Sequence, residues 1–302
     1  MKLITILGPT ATGKTSLAAH LAHCINGEII SADSRQVFKQ MNIGTGKDYS
    51  DYVVEGKTIP YHLIDIAEPG EEFSVFDFRK NFINAFNEIA SKNKTAILCG
   101  GTGLYIESVL KNYNLPEVPK NIKLRNSLSD KSIDELTKIL SDLKPLHNTT
   151  DTINKERLLR AIEIEYFHKE RADNIPGLPK FDSYVFGVNY ERAVVMERIT
   201  KRLKERLQNG MIEEVELLIK KGIPVERLKS YGLEYKFITQ FLLHEITYDE
   251  MFRLLNIAIH QFSKRQMTWF RRMERNGIRI NWIDGNLPLD EKIQIMIKQL
   301  NS

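Results

Sequence analysis

Apolar positions in the first 110 residues alternate between short continuous runs and a helical spacing of three and four. Leu3 to Leu7 is an unbroken apolar run and predicts a strand. Leu17, Ala18, Leu21, Ala22 and Ile25 then share one face of a predicted helix. Glu28 to Ala32 and Tyr61 to Ile66 read as further strands, and Thr95 to Cys99 as a fourth. Between them, Phe78, Phe82, Ala85, Phe86 and Ile89 predict a helix over Phe76 to Ala90. Another helix is expected from Thr102 to Leu110, with Thr102 as its cap. Strands alternating with helices in this way predict a parallel-sheet α/β fold, whose ligands gather at the carboxyl ends of the strands.

The pattern changes between Asn112 and Pro119. The next 60 or so residues carry only helical periodicity, clearest in Ser132 to Leu143 and Asn154 to Phe167, until Asn174 to Pro179 closes the stretch. Tyr184 to Asn189 returns to a strand. Helices are expected over 191–208, 211–221, 231–242 and 247–273, then a strand at Ile278 to Ile283 and a last helix from Leu289. The expected organisation is a core domain of residues 1–112 plus 183–302, interrupted by an all-helical insertion of residues 113–182. At 302 residues, 42% hydrophobic and 27% charged, the chain has the composition of an ordinary globular protein. It holds no apolar run long enough for a membrane span, and its opening apolar run is too short for an export signal. A cytoplasmic protein with no membrane partner is therefore expected. Its two cysteines, Cys24 and Cys99, read as core thiols.

The first chemistry is at the end of the first run. Gly8-Pro9-Thr10-Ala11-Thr12-Gly13-Lys14-Thr15 is a phosphate loop in its required setting of strand, turn and helix. Its glycines free the backbone so that the amides converge on phosphate oxygens at a helix N-terminus. Lys14 adds a charge, and the Thr15 hydroxyl can hold Mg²⁺. Asp33, in Ser31-Ala32-Asp33-Ser34-Arg35-Gln36, follows the second strand and falls beside that loop. There it can serve as a base or reach Mg²⁺ through water, or else cap a helix. Gly44-Thr45-Gly46-Lys47 and Gly100-Gly101-Thr102-Gly103 are flexible segments that suit either a ligand or a plain turn. Arg157 and Arg160, like Arg198 and Arg202, share helix faces that read first as solvated.

Net charge is only +4, so its distribution matters more than its size. Between His260 and Arg279 six Lys/Arg face one acid, Glu274. Leu255, Ile259, Phe262, Trp269 and Met273 form an expected core stripe there, and His260, Lys264, Thr268, Arg271 and Arg275 a polar one. Cations along about 22 Å of helix suit a phosphate backbone. Three classes remain open at this point. An ATP-dependent small-molecule kinase is the strongest rival on physical grounds. A GTP switch lacks its Asn-Lys-x-Asp pattern, and a nucleic-acid-modifying transferase uses the insertion and the basic helix.

Over nearly its full length the chain resembles the tRNA dimethylallyltransferases (tRNA isopentenyltransferases). The resemblance is carried by Gly8–Thr15, Ile30–Gly46, Tyr61–Ile66, Phe73–Phe78, Gly100–Tyr105, Glu156–Ala161 and Lys264–Arg271, in that order. It implies a P-loop NTPase-like parallel sheet flanked by helices, with the insertion binding the tRNA anticodon stem-loop. It implies transfer of a dimethylallyl group from dimethylallyl diphosphate to N6 of the adenine 3′ of the anticodon, with Mg²⁺ as cofactor. The phosphate loop would hold the donor's diphosphate. Asp33 would be the general base, while Lys14, Thr15 and Arg202 would stabilise the leaving group. Asp33, Ser34, Arg35, Gln36, Thr102, Arg125, Glu156, Arg157, Arg160, Lys264, Arg265, Gln266 and Arg271 match positions that touch tRNA. The chain departs from the family at Phe38, where Tyr is frequent, at Gly46 and Asp48, and over Lys229–Glu234, a looser match. It carries no zinc-finger extension of the larger eukaryotic kind, so a compact bacterial-type monomer is expected.

Overall fold

In a computed structural model, which describes residues 1–113, 115–145, 154–170 and 178–301, the chain divides into two compact units. One comprises Met1–Tyr113 and Leu178–Ser302, the other Asn114–Gly177. The strands are β1 (Lys2–Leu7), β2 (Gly27–Ser31), β3 (Val53–Val54), β4 (Lys57–Thr58), β5 (Tyr61–His62), β6 (Thr95–Gly100), β7 (Asp182–Asn189) and β8 (Asn281–Asp284). The helices of the larger unit are α1 (Lys14–Ile25), α2 (Val75–Ser91), α3 (Gly103–Leu110), α7 (Arg192–Gln208), α8 (Met211–Lys220), α9 (Val225–Ser230), α10 (Leu233–Leu242), α11 (Tyr248–Arg275) and α12 (Leu289–Leu300). The smaller unit holds α4 (Ile122–Ser127), α5 (Ile133–Leu143) and α6 (Lys155–Glu170).

Six strands form one parallel sheet in the order β5-β2-β6-β1-β7-β8. Its central strands are apolar on both faces because helices cover both. One face packs Phe78, Phe82 and Phe86 of α2 with Tyr105 and Phe270. The opposite face packs Leu17 and Leu21 of α1 with Ile293 and Met296 of α12. The register sets Leu7 beside Gly100 and Gly187, and Ser31 beside Cys99. Three loops, following β1, β2 and β6, therefore leave the sheet side by side. A third apolar cluster ties α7, α8, α10 and α11 together around Tyr235, Leu203 and Leu255.

Several elements are shorter than the hydrophobic pattern predicts. The expected strand at Tyr61 to Ile66 stops at His62, because Leu63 and Asp65 take left-handed backbone angles (φ 64° and 55°). The expected 231–242 helix begins at Leu233, with α9 as a separate turn before it. Asn281–Asp284 replaces the expected Ile278–Ile283 strand. Cys24 is exposed on α1 rather than a core thiol, whereas Cys99 is buried. Asn174 to Gly177 of the expected closing stretch lies outside the described residues. In the smaller unit, Leu136, Leu140, Leu158 and Ile162 form a small core of their own. No helix among the described residues is long and apolar enough to cross a membrane.

Candidate active site

The loops after β1, β2 and β6 open into a cavity of about 1190 Å³ in the larger unit. Its floor is the phosphate loop. Gly13 has φ 74°, a left-handed angle that a side chain would strain, and it caps the N-terminus of α1 in the cavity lining. The Thr12 hydroxyl donates to Pro9 O (2.9 Å), closing the loop on itself. Lys14 folds back, its ammonium donating to Pro9 O (2.6 Å) and lying 3.5 Å from Thr12 Oγ1. Burial lowers the Lys14 pKa to about 8. Thr15 lines the cavity with its hydroxyl engaged by no protein group among the described residues.

Helix α7 brings arginines onto this loop from the other side. Arg198 Nε donates to Ala11 O (2.7 Å), and its guanidinium lies over the Tyr190 ring. Arg202 donates to the Thr10 hydroxyl. Arg206 pairs with Asp48 (2.9 Å). These arginines, four apart on one helix face, all line the cavity, although Arg198 remains exposed. Burial, with Arg206 one turn away, lowers the Arg202 pKa to about 10. Asp33 offsets part of the fall for both cations, and Glu234 and Asp48 do so for Arg202, so the cavity gathers cations at the phosphate loop beside a nearby carboxylate.

Asp33 lines the same cavity at the tip of β2. No helix follows it. Instead its Oδ1 accepts from Arg35 N (2.9 Å), a local turn that leaves the other carboxylate oxygen without a hydrogen bond among the described residues. Ser34 N donates to Thr102 Oγ1 (3.0 Å). Thr102 therefore does not cap α3 with its side chain, as expected from sequence, but joins the β6 loop to the Asp33 turn. Gln36 donates to Gly46 O (3.0 Å) and accepts from Ser31 Oγ (3.1 Å). Arg35 also lines the cavity.

Some residues singled out from the sequence stand elsewhere. Lys47 is buried away from the cavity, donating to Phe38 O and Asp65, whereas Gly44, Thr45 and Gly46 of the same segment line the cavity as a braced turn. Glu214 braces it further, accepting from Asn42, Ile43 and Gly44 N–H groups (2.8, 2.7 and 3.1 Å) and from the Tyr235 hydroxyl (2.7 Å). On α11 the buried face is Met251, Leu255, Ile259, Ser263, Gln266, Phe270 and Met273. The expected core residue Phe262 is 39% exposed at the cavity rim, and His260 faces α7, within 3.2 Å of Thr200 Oγ1. Lys264, Arg265 and Arg271 are exposed, with Arg265 at the rim, but Gln266 points inward.

Arg125, Glu156, Arg157 and Arg160 lie in the smaller unit. Arg125 grips Glu163 with two hydrogen bonds (2.7 and 3.0 Å) and also pairs with Glu156 (3.0 Å). Arg160 reaches Glu163 (3.2 Å) and Val118 O (2.8 Å), while Arg157 is exposed. Burial pushes the Glu163 carboxyl up, but Arg125, the Asn121 N–H and Arg160 together hold it below the ordinary value. Glu163 escaped the sequence reading. Its signal was an acid three residues after Arg160, on the face that also carries Leu159 and Ile162.

A model of the family described as IPP transferase matches residues 36–273. The chain belongs to the IPP transferase family. Curated relatives include "tRNA dimethylallyltransferase 2" of Phocaeicola vulgatus, 53% identical over 99% of this chain and 98% of its own length. "tRNA dimethylallyltransferase 1" of Parabacteroides distasonis is 50% identical over 100% of this chain and 98% of its own. Among solved structures, the tRNA isopentenylpyrophosphate transferase of Bacillus halodurans aligns with a TM-score of 0.72 at 31% identity, covering 99% of this chain and 95% of that one. These relatives are named for prenyl transfer to tRNA, not for the kinase activity that a phosphate loop alone leaves open.

Proposed function

We propose that this protein transfers a dimethylallyl group from dimethylallyl diphosphate to N6 of adenine 37 in tRNA, releasing diphosphate. The observation that carries the reading is that one cavity holds the phosphate loop, the Arg202 guanidinium and the Asp33 carboxylate. The loop amides from Ala11 to Thr15 and the Lys14 ammonium bind the diphosphate. Arg202 faces the charge that develops as the carbon–oxygen bond to diphosphate breaks, and such a preorganised donor is worth most where water is excluded. N6 supplies the electron pair for the new carbon–nitrogen bond, and the diphosphate leaves with the pair of the broken one. Asp33 takes the N6 proton, which matters because an exocyclic amine is a weak nucleophile. The adenine must leave its stack to enter the cavity, and single-stranded loops release bases most readily.

The Thr15 hydroxyl, which meets no protein group among the described residues, would hold a magnesium ion at this cavity. When bound it adds positive charge beside the leaving group. Ser34, Arg35, Gln36 and Thr102 border the acceptor side of the cavity, and the cationic side chains of Lys264, Arg265 and Arg271 offer contacts to the tRNA backbone. The smaller unit, through Arg125, Glu156, Arg157 and Arg160, is assigned to the anticodon stem-loop. The protein works as a cytoplasmic monomer in this reading.

Incubating the protein with unmodified tRNA and either dimethylallyl diphosphate or ATP tests the activity. The tRNA should gain the mass of one prenyl unit with the first and nothing with the second. A tRNA unchanged in mass with dimethylallyl diphosphate would end the proposal. The basic face has its own test. Removing both charges, in Lys264→Ala/Arg271→Ala, should flatten the plot of log affinity against log salt by about two units, near one per lost phosphate contact. An unchanged slope would place the tRNA backbone elsewhere.

A further inference from the structure

Gln266 is the one polar residue of the buried α11 face with both ends of its side chain spent on the cavity loops. Its Oε1 accepts from Thr10 N (2.8 Å), inside the phosphate loop. Its Nε2 donates to Gly101 O (2.9 Å), in the loop after β6. The side chain is 8% exposed, so it is committed inward while its neighbours Lys264 and Arg265 face out. The fit at Gly101 is tight, since a Cβ there would lie 2.4 Å from Gln266 Nε2.

Each loop leads to a working group. Thr10, held at its amide by Gln266, is held at its hydroxyl by Arg202. The residue after Gly101 is Thr102, whose hydroxyl accepts from Ser34 N beside Asp33. One amide thus connects the diphosphate cradle to the turn that carries the carboxylate. Helix α11 braces the second loop again, one turn on, where Trp269 Nε1 donates to Glu107 (2.9 Å) on α3. We infer that Gln266 is a positioning residue for the transfer reaction, setting the distance between the leaving group and the proton acceptor, and is not a contact to tRNA. The inference rests on the reading that the phosphate loop holds the donor's diphosphate.

An amide is needed because the two partners are opposite in kind, one an N–H and one a carbonyl. Leucine fills the space but answers neither. Glutamate answers only Thr10 N when ionised and repels Gly101 O. Once protonated it donates to Gly101 O and restores both bonds, so this site raises the pKa of a glutamate placed there.

Single-turnover transfer and tRNA binding by Gln266→Leu and Gln266→Glu, beside the unaltered protein, test the inference. Gln266→Leu should lower the transfer rate by about 10- to 100-fold, since small misplacements of reacting groups cost that much. Its affinity for tRNA should stay within about twofold of the unaltered protein's. The ratio of the Gln266→Glu rate to the unaltered rate should rise as pH falls from about 8 to about 6, and this holds as the test if Gln266→Leu fails to fold. A rate unchanged in Gln266→Leu, a loss confined to tRNA affinity, or a Gln266→Glu ratio flat with pH would overturn the inference. Absence of transfer by the unaltered protein would instead refute the functional reading beneath it.

Discussion

Asp33→Asn should reduce prenyl transfer by about 10²- to 10⁴-fold, the range set by loss of a positioned proton acceptor. The substitution is chosen on geometry. Asp33 Oδ1 accepts from Arg35 N, and an asparagine oxygen keeps that bond, so the turn from Ala32 to Gln36 survives. What disappears is the capacity of the second oxygen, which has no partner among the described residues, to accept a proton. Affinity for tRNA should be nearly unchanged, because Asp33 is one among many residues matched to tRNA contacts and asparagine keeps its shape. The measurement is a single-turnover rate with tRNA and donor both saturating, together with the dissociation constant for tRNA. A variant with the rate of the unaltered protein would remove Asp33 from the chemistry. One with a normal rate constant but weakened tRNA binding would make it a recognition residue.

Much of the fold was legible because its strongest signals are local. The helical spacing from Leu17 to Ile25 marks α1, which starts three residues earlier at Lys14, and the apolar run before Gly8 places β1 within a residue of where it lies. The same is true of α2, whose phenylalanines repeat on one face. The signal failed where backbone geometry overrides side-chain pattern. Leu63 and Asp65 look like strand residues, yet left-handed angles end β5 at His62 and turn Asp65 toward Lys47. On α11 the expected stripe holds at Leu255, Ile259 and Met273, but Phe262 lies exposed while the polar residues Ser263 and Gln266 are buried. A buried polar residue is visible in sequence only if its partners are known, and those of Gln266 are 165 and 256 residues away.

The site divided along the same line. Gly8 to Thr15 and Asp33 were readable because strand ends in a parallel sheet converge by topology. The cavity-lining row of Arg198, Arg202 and Arg206 was not, since spacing alone cannot say which side of a helix is covered. Glu214 was equally hidden. A carboxylate that accepts three backbone N–H groups and a tyrosine hydroxyl leaves no mark in sequence beyond being one acid among many.

Donor affinity should depend on pH through Lys14, and Lys14→Met should abolish that dependence. In the free protein burial lowers the Lys14 pKa to about 8. A bound diphosphate places negative charge against the ammonium and raises that pKa, so the charged form is the one that binds. Below the free value Lys14 is already protonated and affinity is flat. Above it a proton must be taken up on binding, and the dissociation constant for the donor should rise toward tenfold per pH unit. The sign follows from the higher pKa belonging to the bound state. In Lys14→Met the rise from about pH 8 to about pH 9.5 should vanish, and the transfer rate should fall by about 10²- to 10³-fold for want of one preorganised donor at the leaving group. Calorimetry in buffers of different ionisation heat reads the proton uptake directly. A donor affinity that stays level across this range in the unaltered protein would mean that Lys14 is charged throughout, or that the diphosphate lies beyond its reach.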